Sequence, residues 1–546
     1  MSISKFDLTR FRFVIGIDFG TTFSYVRMNY EPHQTTKYPK TPTLSLYGAN
    51  DGLTPSHDSW GQRAFQEARK SNSKGILLQK FKLRLDENLS LDPMPIDVDV
   101  VHVIADYLRC LYRHVSEKII SNYGYQIDRD MFRFCLTVPA MWSDRAKDAM
   151  RQAAILAGLV VQNDHPDRLL LVTEPEAAAL YCQLKCKQFN LEHGDQFMVC
   201  DAGGGTVDLI VYEIEDTADG RRLSEVTQGH GASCGSIFID QQFQSFLEKK
   251  FGTQGLTLPN NVMNKFVDEF ISKVKPDFSS DHNSFLEVPR DECFNGLQDK
   301  SAIGIHGTTL VLQGSELKEH VFEPVVTQVI DLIHIQLQRA QSCKNIFLVG
   351  GFGSSEYLQK RIRDTLRGSS VVLFIPPNAE MAVVRGAVYA GLELMTITSR
   401  FSRRGYGVHI AKPFEEGVDS PLTLKSYPDG GRWCLDRFDC LIKKGARITI
   451  DESVCIPAQA RKGVTYNVSI YAYDRVGAPP RYITDQGVSK VGDIPFKALF
   501  DDSDPDGSAV DCLIRLFFGR CEIRVIVAVQ GEKYTSGIRY EGIGSH

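Results

Sequence analysis

The chain has 546 residues, of which 43% are hydrophobic and 24% are charged, and its formal net charge is −5 at pH 7. This length exceeds a single ordinary core and predicts about two to four domains or lobes. The composition is typical of a soluble globular protein, and the small negative charge gives no electrostatic reason to expect a nucleic acid or a membrane as a partner.

Targeting signals and cysteines bear on the compartment. The N-terminal stretch MSISKFDLTRFRFVIGIDFG has no long apolar core followed by a small-residue cleavage site, so no secretory signal is expected. No run approaches about 18 apolar residues, so no membrane span is expected. The 13 cysteines include no CxxC pair and are expected to be reduced thiols with packing roles. We therefore expect a cytoplasmic location, with the nucleus as an alternative.

The first predicted element is a hairpin that is repeated later in the chain. VIGIDFGTTFSYV, at 14–26, and FMVCDAGGGTVDLIVYEI, at 197–214, each consist of a β-rich run, an aspartate, a Gly/Thr turn and a second β-rich run. Glycine lacks Cβ, so backbone amides in such turns can approach a ligand closely. The repeat predicts two related lobes with a ligand between them that meets both turns. A hairpin turn without a ligand is the alternative for the second stretch taken alone.

Strands and helices alternate between and after the hairpins. FRFCLTVPA, at 132–140, predicts a strand, and the helix that follows has Ser143 or Asp144 as its N-cap. LLLVTEPEAAAL predicts a buried strand and a helix that can begin at Pro175. A long amphipathic helix is predicted from Pro324, followed by a strand, a glycine turn and a helix in NIFLVGGFGSSEYLQKRI. AEMAVVRGAVYAGLEL is the last predicted helix of this α/β part.

The pattern changes near Ile397. ARITI, TYNVSIYAYD, CLIRLFFG and EIRVIVAVQ are alternating or β-branched runs, and turns such as PDGG and PDG separate them. Residues 397–546 are therefore predicted to form a compact all-β domain.

In this order, the motifs resemble those of the actin-fold ATPases, and among them the heat-shock protein 70 (DnaK-type) family. GIDFGTTFSYV and DAGGGTVDLIVYE resemble its two phosphate motifs, TVPAMWSDRAKDAMRQAAILAGL and VTEPEAAAL its connecting region, and LVGGFGSSEYLQKRI its adenosine motif. The adenosine motif is similar to that of the divergent, lid-poor A12-type branch. The resemblance covers roughly residues 12–395.

The resemblance implies an α/β fold of two actin-like, ribonuclease H-like lobes followed by a small all-β domain. Lobe I would comprise residues 1–195 and 380–396, lobe II residues 196–379, and the C-terminal domain, for a substrate or partner, residues 397–546. A slow ATPase acting on ATP with Mg²⁺ is the implied activity. A peptide or protein client and a co-chaperone or exchange factor are the implied partners.

The residue types suit that chemistry. Gly-rich turns present amides to phosphates, and carboxylates suit Mg²⁺, which keeps several of its waters. The resemblance implies Asp18 and Asp201 for the metal, and Glu174 and Asp208 for positioning the attacking water. It also implies a lysine at the γ-phosphate, for which Lys80 fits best and Lys82 is a near competitor. The implied nucleotide-binding residues are Gly20, Thr21, Thr22, Gly203, Gly204, Gly205, Thr206, Gly235, Gly350, Gly351 and Gly353.

The sequence departs from the family pattern at several points. VGGFGSS replaces VGGSTR, so no arginine follows to stack on adenine, and Phe352 is not an evident substitute. Ser236 replaces an expected glycine, and LMTITSRFSRRGYG stands where an acidic, leucine-rich linker is usual. Glu269 and Lys273 lie where the family contacts ribose, but the local match is poor and an ordinary solvated helix face is the preferred interpretation.

Other classes of site fit less well. GGGTVD lacks the GKS or GKT of a P-loop, no GxSxG elbow is present, and GGFGSSE is not GxGxxG. His230, beside Gly231 and Cys234, is expected in a loop between strands rather than in a metal cluster. Three functions remain: a chaperone-like ATPase, a nucleotide-binding switch or scaffold with little turnover, and a small-molecule kinase on the same core.

Overall fold

The structure of the chain is a computed structural model. It describes residues 11–540 apart from positions 31–33, 38–39, 49–56, 71–72, 88, 124–127, 186–190, 219, 298, 394–396, 429, 462–463, 498–508 and 530–531. The described residues form a mixed α/β structure with several sheets. None of their helices combines the length and apolar character needed to cross a membrane.

Strands occur throughout the described residues. In chain order they are β1 (Phe13–Asp18), β2 (Phe23–Tyr30), β3 (Gln34–Lys37), β4 (Thr41–Pro42), β5 (Leu44–Tyr47), β6 (His57–Trp60), β7 (Ile76–Gln79), β8 (Phe132–Val138), β9 (Leu169–Thr173), β10 (Gln196–Ala202), β11 (Val207–Thr217), β12 (Gly220–Glu225), β13 (His230–Ala232), β14 (Ser284–Glu287), β15 (Ile305–His306), β16 (Thr309–Leu312), β17 (Asn345–Val349), β18 (Val372–Phe374), β19 (Ile397–Phe401), β20 (Gly405–Pro413), β21 (Leu424–Ser426), β22 (Arg432–Ile442), β23 (Arg447–Thr449), β24 (Ser453–Arg461), β25 (Thr465–Tyr473), β26 (Val488–Lys497), β27 (Ala509–Phe517), β28 (Arg524–Val529), β29 (Glu532–Ser536) and β30 (Arg539–Tyr540).

The α-helices of the described residues all precede β19. They are α1 (Gly61–Ala68), α2 (Val100–Tyr123), α3 (Asp144–Leu156), α4 (Glu174–Lys185), α5 (Ser236–Gly252), α6 (Asn260–Glu269), α7 (Gly314–Leu317), α8 (Glu323–Arg339), α9 (Glu356–Leu366) and α10 (Ala382–Gly391). Two predicted helix starts are confirmed. Ser143 caps α3, because its Oγ accepts a hydrogen bond from the amide of Ala146 at 3.2 Å. Pro175 lies in the first turn of α4, where its missing N–H costs nothing.

The first sheet contains the first predicted hairpin. β1 pairs antiparallel with β2 and parallel with β8, and β8 pairs parallel with β9. The strand order is β3-β2-β1-β8-β9, with β4 on β2. Every residue of β8 is buried, as expected for a parallel strand that is covered on both faces.

The second sheet repeats this arrangement around the second hairpin. β10 pairs antiparallel with β11 and parallel with β17, and β17 pairs parallel with β18. The strand order is β18-β17-β10-β11-β12-β19-β23, with β13 on β11. Asp201 and Asp208 are directly opposite each other in the β10–β11 register. Both predicted hairpins are thus confirmed, and each is flanked by parallel strands on the side of its first strand.

Helices α4 and α10 lie between the two sheets. One buried cluster joins Val14 and Cys135 of the first sheet to Phe197 and Val199 of the second through residues of both helices. The helices cross so closely that a Cβ on Gly386 would lie 1.5 Å from the carbonyl oxygen of Ala177. Glycine at this position therefore allows the two backbones to touch.

Beyond β19, strands β20–β30 form most of the chain. They build a sheet of order β21-β22-β20-β25-β26-β30 and a sheet of order β24-β27-β28-β29. The residues buried between them are Tyr406, Ile448, Ala460, Ile470, Ala472, Val491, Ile494, Phe496, Cys512, Ile514, Leu516, Phe518, Val525, Val527 and Val529.

Strand β19 joins the second sheet to this β-rich region. It runs parallel to β12 and antiparallel to β23. Residues 397–401, which the sequence interpretation placed at the start of the C-terminal domain, lie in the second sheet between β12 and β23. Two side-chain contacts also join the β-rich region to α3. The Tyr406 hydroxyl donates to Asp144 at 2.7 Å, and Arg151 makes two 2.6 Å hydrogen bonds to Glu522.

Candidate functional site

The first turn, at 20–22, is held tightly between β1 and β2. The side-chain hydroxyl of Thr43 donates to the Gly20 carbonyl at 2.8 Å, and its amide donates to the Thr22 carbonyl at 2.9 Å. A Cβ on Gly20 would lie 2.1 Å from the carbonyl oxygen of Phe23. Only glycine therefore fits this turn, and Thr21 behind it is buried.

The second turn, at 203–206, rests on the N-terminus of α5. The amides of Gly235, Ser236 and Ile237 donate to the carbonyls of Gly205, Gly203 and Gly204 at 3.0, 3.2 and 2.9 Å. A Cβ on Gly235 would lie 2.5 Å from the Gly204 carbonyl oxygen. The turn and α5 are therefore packed backbone against backbone. Ser236, which replaces an expected glycine, is accommodated beside this contact and half-buried.

The two turns touch each other. A Cβ on Gly204 would lie 2.6 Å from Thr22 Oγ1, and one on Gly205 would lie 2.5 Å from Thr21 Oγ1. The glycines therefore allow the two hairpins to approach, a purpose that the sequence did not reveal. The amides of Thr21, Thr22, Gly204 and Gly205 meet no hydrogen-bond acceptor within the part of the chain that the structure describes. Such amides can bind an anion.

Carboxylates from both sheets surround the turns. Asp18 ends β1, Asp201 and Asp208 face each other on β10 and β11, and Glu174 begins α4. Glu174, Asp201 and Asp208 are 7%, 6% and 1% exposed. Asp18 is partly exposed and accepts a 3.2 Å hydrogen bond from the Thr137 hydroxyl. These acids of the two sheets lie close enough to act on one another's pKa values and so form one cluster.

The lysine of this cluster is Lys82 rather than the preferred candidate, Lys80. Lys82 Nζ lies 2.5 Å from Glu174 Oε1, and the two side chains are 5% and 9% exposed. Lys80 has a left-handed backbone (φ 57°) immediately before a 3₁₀ turn at Phe81–Leu85. The charge of Lys80 instead acts to lower the pKa values of Asp240, in α5, and of Lys275. In the sequence, Lys82 stands among the apolar residues Phe81, Leu83 and Leu85, and this setting could have favoured it as the buried lysine.

The acid cluster contains too little positive charge to balance its carboxylates. Burial raises the pKa of Asp18 to about 7, and the charge of Glu174 adds to the effect while Lys82 opposes it. Burial likewise raises the pKa of Asp208 to about 7, with Glu174 again adding to it. The pKa of Asp201 is raised well above its usual range by burial and by the neighbouring carboxylates. Lys82, together with Arg403 at Asp208, does not balance four acids in a buried site.

These residues fit a hydrated divalent cation. Both carboxylate oxygens of Asp208 are buried and accept no hydrogen bond of good geometry, although the Thr206 hydroxyl is near enough to oppose the rise in its pKa. The donors are oxygens, which suit Mg²⁺. Among the described residues, no three His, Cys, Asp or Glu side chains converge closely enough to hold a metal ion. Contacts through water, as Mg²⁺ commonly makes them, do not require such convergence.

The third glycine turn adjoins the acids, but not all of it faces the site. Gly350 has φ 85°, and a Cβ there would lie 2.5 Å from Asp201 Oδ1. A Cβ on Gly351 would meet nothing within 4 Å, so this position is open. Gly353 packs towards Leu348, and Phe352 is 4% exposed within the core. Phe352 therefore does not replace the missing arginine.

Glu269 and Lys273, at the position where the family contacts ribose, pair with each other. Lys273 is exposed and pairs with Glu269 on the same helical segment, and Glu269 also accepts the amide of Glu287 at 2.9 Å. Nearer to the turns is Lys275, which the sequence did not single out. Its ammonium group donates to the Ser236 carbonyl and to Asp240, both at 2.7 Å.

Sequence comparisons complete this description of the site. A model of the Hsp70 protein family matches residues 114–393. The chain belongs to the heat-shock protein 70 family. It is 26% identical over 585 residues to heat shock 70 kDa protein 12B of Homo sapiens, covering 88% of this chain and 83% of the relative. It is 27% identical over 592 residues to heat shock 70 kDa protein 12A of Mus musculus, covering 88% and 84%.

Within the Hsp70 family, the chain is a divergent, A12-type member. Its likeness to the chaperone protein DnaK of Anaplasma marginale is 26% identity over 286 residues, which cover 51% of this chain and 40% of that protein. Hsp70 proteins are nucleotide-binding proteins with an actin-like ATPase core. The matched segment contains Glu174, Asp201, Asp208 and Gly350. The first turn and Lys82 lie outside it, so their place in the site rests on geometry alone.

Proposed function

We propose that this Hsp70-family chain binds ATP with Mg²⁺ between its two hairpins and hydrolyses it slowly. The observation that carries the proposal is the contact between the two glycine turns beside buried acids whose charge Lys82 and Arg403 do not fully balance. A nucleotide–metal complex supplies what that site lacks: the phosphates accept from the free amides, and the metal offsets the carboxylates. The family match and the fit of the oxygen donors support it.

The residues take distinct roles in this proposal. Amides of Thr21, Thr22, Gly204 and Gly205 bind phosphate oxygens, with the Thr206 hydroxyl close by. Asp18 and Asp201 hold Mg²⁺ through its waters. When bound, Mg²⁺ neutralises charge on the transferring phosphoryl group. Glu174 and Asp208 orient the attacking water, and Lys82 holds Glu174 in place and adds a positive charge near the γ-phosphate.

The two sheets correspond in this proposal to the two lobes of an actin-like core. The repeated hairpin with its parallel strands supports such a duplication. Helix α10 belongs to the first lobe in this proposal because it packs against β1: a Cβ on Gly16 would lie 2.8 Å from the Val384 carbonyl oxygen. Residues 196–379 form the second lobe. The β-rich remainder is the substrate or partner domain, which we place after Phe401 because β19 pairs within the second sheet.

Two neighbouring loops of the β-rich region offer a surface for a peptide or protein client. Val418 and Leu422 in one loop are 58% and 96% exposed, and Val476 in the other is 87% exposed. The Ser420 amide donates to the Tyr482 hydroxyl at 3.1 Å, which keeps the loops together. Exposed apolar side chains on ordered loops suit an apolar client segment. The proposed partners also include a co-chaperone or an exchange factor.

Calorimetric titration with ATP and ADP, with and without Mg²⁺, followed by a turnover assay, tests the proposal. We expect Mg²⁺-dependent binding and slow release of phosphate that Asp201→Asn and Glu174→Gln abolish while binding largely persists. Wild-type turnover no higher than that of these variants would identify a nucleotide-binding switch or scaffold. Transfer of the γ-phosphate to a sugar or polyol instead of water would identify a kinase.

A further inference from the structure

Arg400, in the last strand of the second sheet before the β-rich region, and Arg403, just after that strand, lie near the elements that carry the proposed hydrolytic acids. Arg400, in β19, donates from Nη2 to Glu176 Oε1 at 2.6 Å, and the two side chains are 14% and 11% exposed. Glu176 lies in the first turn of α4, two residues after Glu174. Its other carboxylate oxygen is buried and has no hydrogen-bond partner in the described residues. Arg400 is thus the ion-pair partner that fixes Glu176.

Arg403 approaches Asp208 from the side of β13. Its Nη2 would lie 2.7 Å from a Cβ on Gly229, so the guanidinium lies against this glycine backbone. Two residues on, Gly231 is opposite Asp208 in the β11–β13 register, and a Cβ there would lie 2.9 Å from Asp208 Oδ1. A side chain at Gly229 would displace Arg403, and a side chain at Gly231 would push β13 away from Asp208.

The backbone of the same segment is anchored on the second sheet. The amide of Phe401 donates to Glu225 Oε2 at 2.9 Å, and Gln228 Nε2 donates to the Arg403 carbonyl at 3.2 Å. Glu225 is buried, and its pKa is raised by burial while the charges of Arg403 and Arg400 oppose the rise. The segment that carries Arg400 and Arg403 is therefore fixed beside the acid cluster.

The charge of Arg403 also acts on Asp208. Burial and Glu174 raise the pKa of Asp208, and the largest opposing effect comes from Arg403, ahead of Lys82. Arg403 is therefore the second cation of a cluster in which Lys82 is the first. Arg404, next in the chain, serves a different purpose, because it bonds Asp474 and Ser489 in the β-rich region.

We propose that Arg400 and Arg403 are positioning residues for ATP hydrolysis. Arg400 fixes the first turn of α4 and through it Glu174, and Arg403 places a positive charge on the β13 side of Asp208 that stabilises its ionised carboxylate. The inference rests on the proposed ATPase activity. It gives the segment between the second sheet and β20 a part in turnover that is separate from nucleotide binding.

The test compares full-length wild type with Arg403→Gln, Arg403→Lys and Arg404→Gln. Arg404→Gln is the matched control, since it removes the same charge from the adjacent position. We expect single-turnover hydrolysis to fall roughly tenfold or more in Arg403→Gln, as for the loss of an outer partner of a catalytic group, with the ATP dissociation constant and melting temperature near wild type. Arg403→Lys keeps the charge and should recover most of the rate, whereas Arg404→Gln should match wild type.

A second variant tests Arg400 without leaving a buried acid unpaired. Arg400→Gln with Glu176→Gln replaces the ion pair by two amides, and we expect a lower rate of hydrolysis with ATP affinity retained. Wild-type hydrolysis in both this double variant and Arg403→Gln overturns the inference but leaves the ATPase proposal intact. If Arg403→Gln does not fold, the double variant decides, and wild-type hydrolysis in it overturns the inference. Absence of hydrolysis in wild type would overturn the ATPase proposal itself.

Discussion

Lys82 and Glu174 form a 2.5 Å ion pair with side chains that are only 5% and 9% exposed. The pair joins a 3₁₀ turn of one segment to the first residue of α4. Burying two charges is costly, and such a pair adds less stability than its short distance suggests. Its presence at the centre of an acid cluster therefore points to a chemical requirement for the charge.

The first prediction separates the two lysines. Lys82→Ala leaves Glu174 buried without a partner and should lower the free energy of unfolding by about 3–5 kcal/mol, with loss of ATP hydrolysis. Lys80→Ala, the matched control, should retain both. Urea unfolding and single-turnover hydrolysis measure the two effects. Loss of hydrolysis in Lys80→Ala with a normal rate in Lys82→Ala would contradict the assignment.

The second prediction concerns pH. Folded Asp208 takes up its proton at about pH 7, whereas the unfolded chain does so near about 3.9. Between those values the folded state binds more protons, so the stability of the metal-free protein should fall as pH rises from about 4 to 7. Asp208→Asn removes this contribution and should unfold at higher urea than wild type at pH 8.

Urea unfolding in EDTA from pH 5 to 8 measures this difference. Each pKa unit corresponds to about 1.4 kcal/mol, so the gain at pH 8 should reach a few kcal/mol. Asp331→Asn, on the exposed side of α8, is the control and should follow wild type. A pH profile of Asp208→Asn parallel to that of wild type would show that Asp208 is not the source.

The third prediction concerns the crossing of α4 and α10. Gly386→Ala places a Cβ 1.5 Å from the Ala177 carbonyl oxygen, so the helices must move apart. The loss should equal or exceed the upper end of ordinary overpacking, about 3 kcal/mol. Gly252→Ala, at the end of α5, meets nothing within 4 Å and should be neutral or slightly stabilising. Melting temperatures of both variants test this, and equal values would refute it.

The fourth prediction concerns the contact between the turns. Gly205→Ala places a Cβ 2.5 Å from Thr21 Oγ1 and should hold the hairpins apart, which lowers ATP affinity more than stability. Adding Thr21→Ala removes the obstructing hydroxyl and should restore part of the affinity. Calorimetry of the single and double variants gives the comparison. An unchanged affinity in Gly205→Ala would mean that the turns need not touch for binding.

Much of the fold and part of the site can be predicted from the sequence, because the signals are local. Each hairpin is marked by β-rich runs around an Asp–Gly turn, and the ends of β1 and β10 place Asp18 and Asp201 at those turns. Glu174 follows from the Pro-marked start of α4. Such features depend on a few neighbouring residues.

Other features depend on contacts that no local pattern encodes. Lys80 and Lys82 are two residues apart, and the left-handed conformation of Lys80 decides which one faces Glu174. Arg400 looks like a solvated residue in SRFSRRG, yet its partner Glu176 is 224 positions away in the chain. Phe352 was difficult to assign because its burial depends on the packing of the whole core around the second sheet.

Strand β19 belongs by its hydrogen bonds to the sheet before it and by its sequence pattern to the region after it. A truncation at residue 396, where the sequence places the domain boundary, would strip β12 of its neighbour and leave an open strand edge, which favours aggregation. It would also remove the arginine that pairs with Glu176. A shortened form that keeps the second sheet whole must therefore retain both β19 and β23, the outer strand of that sheet.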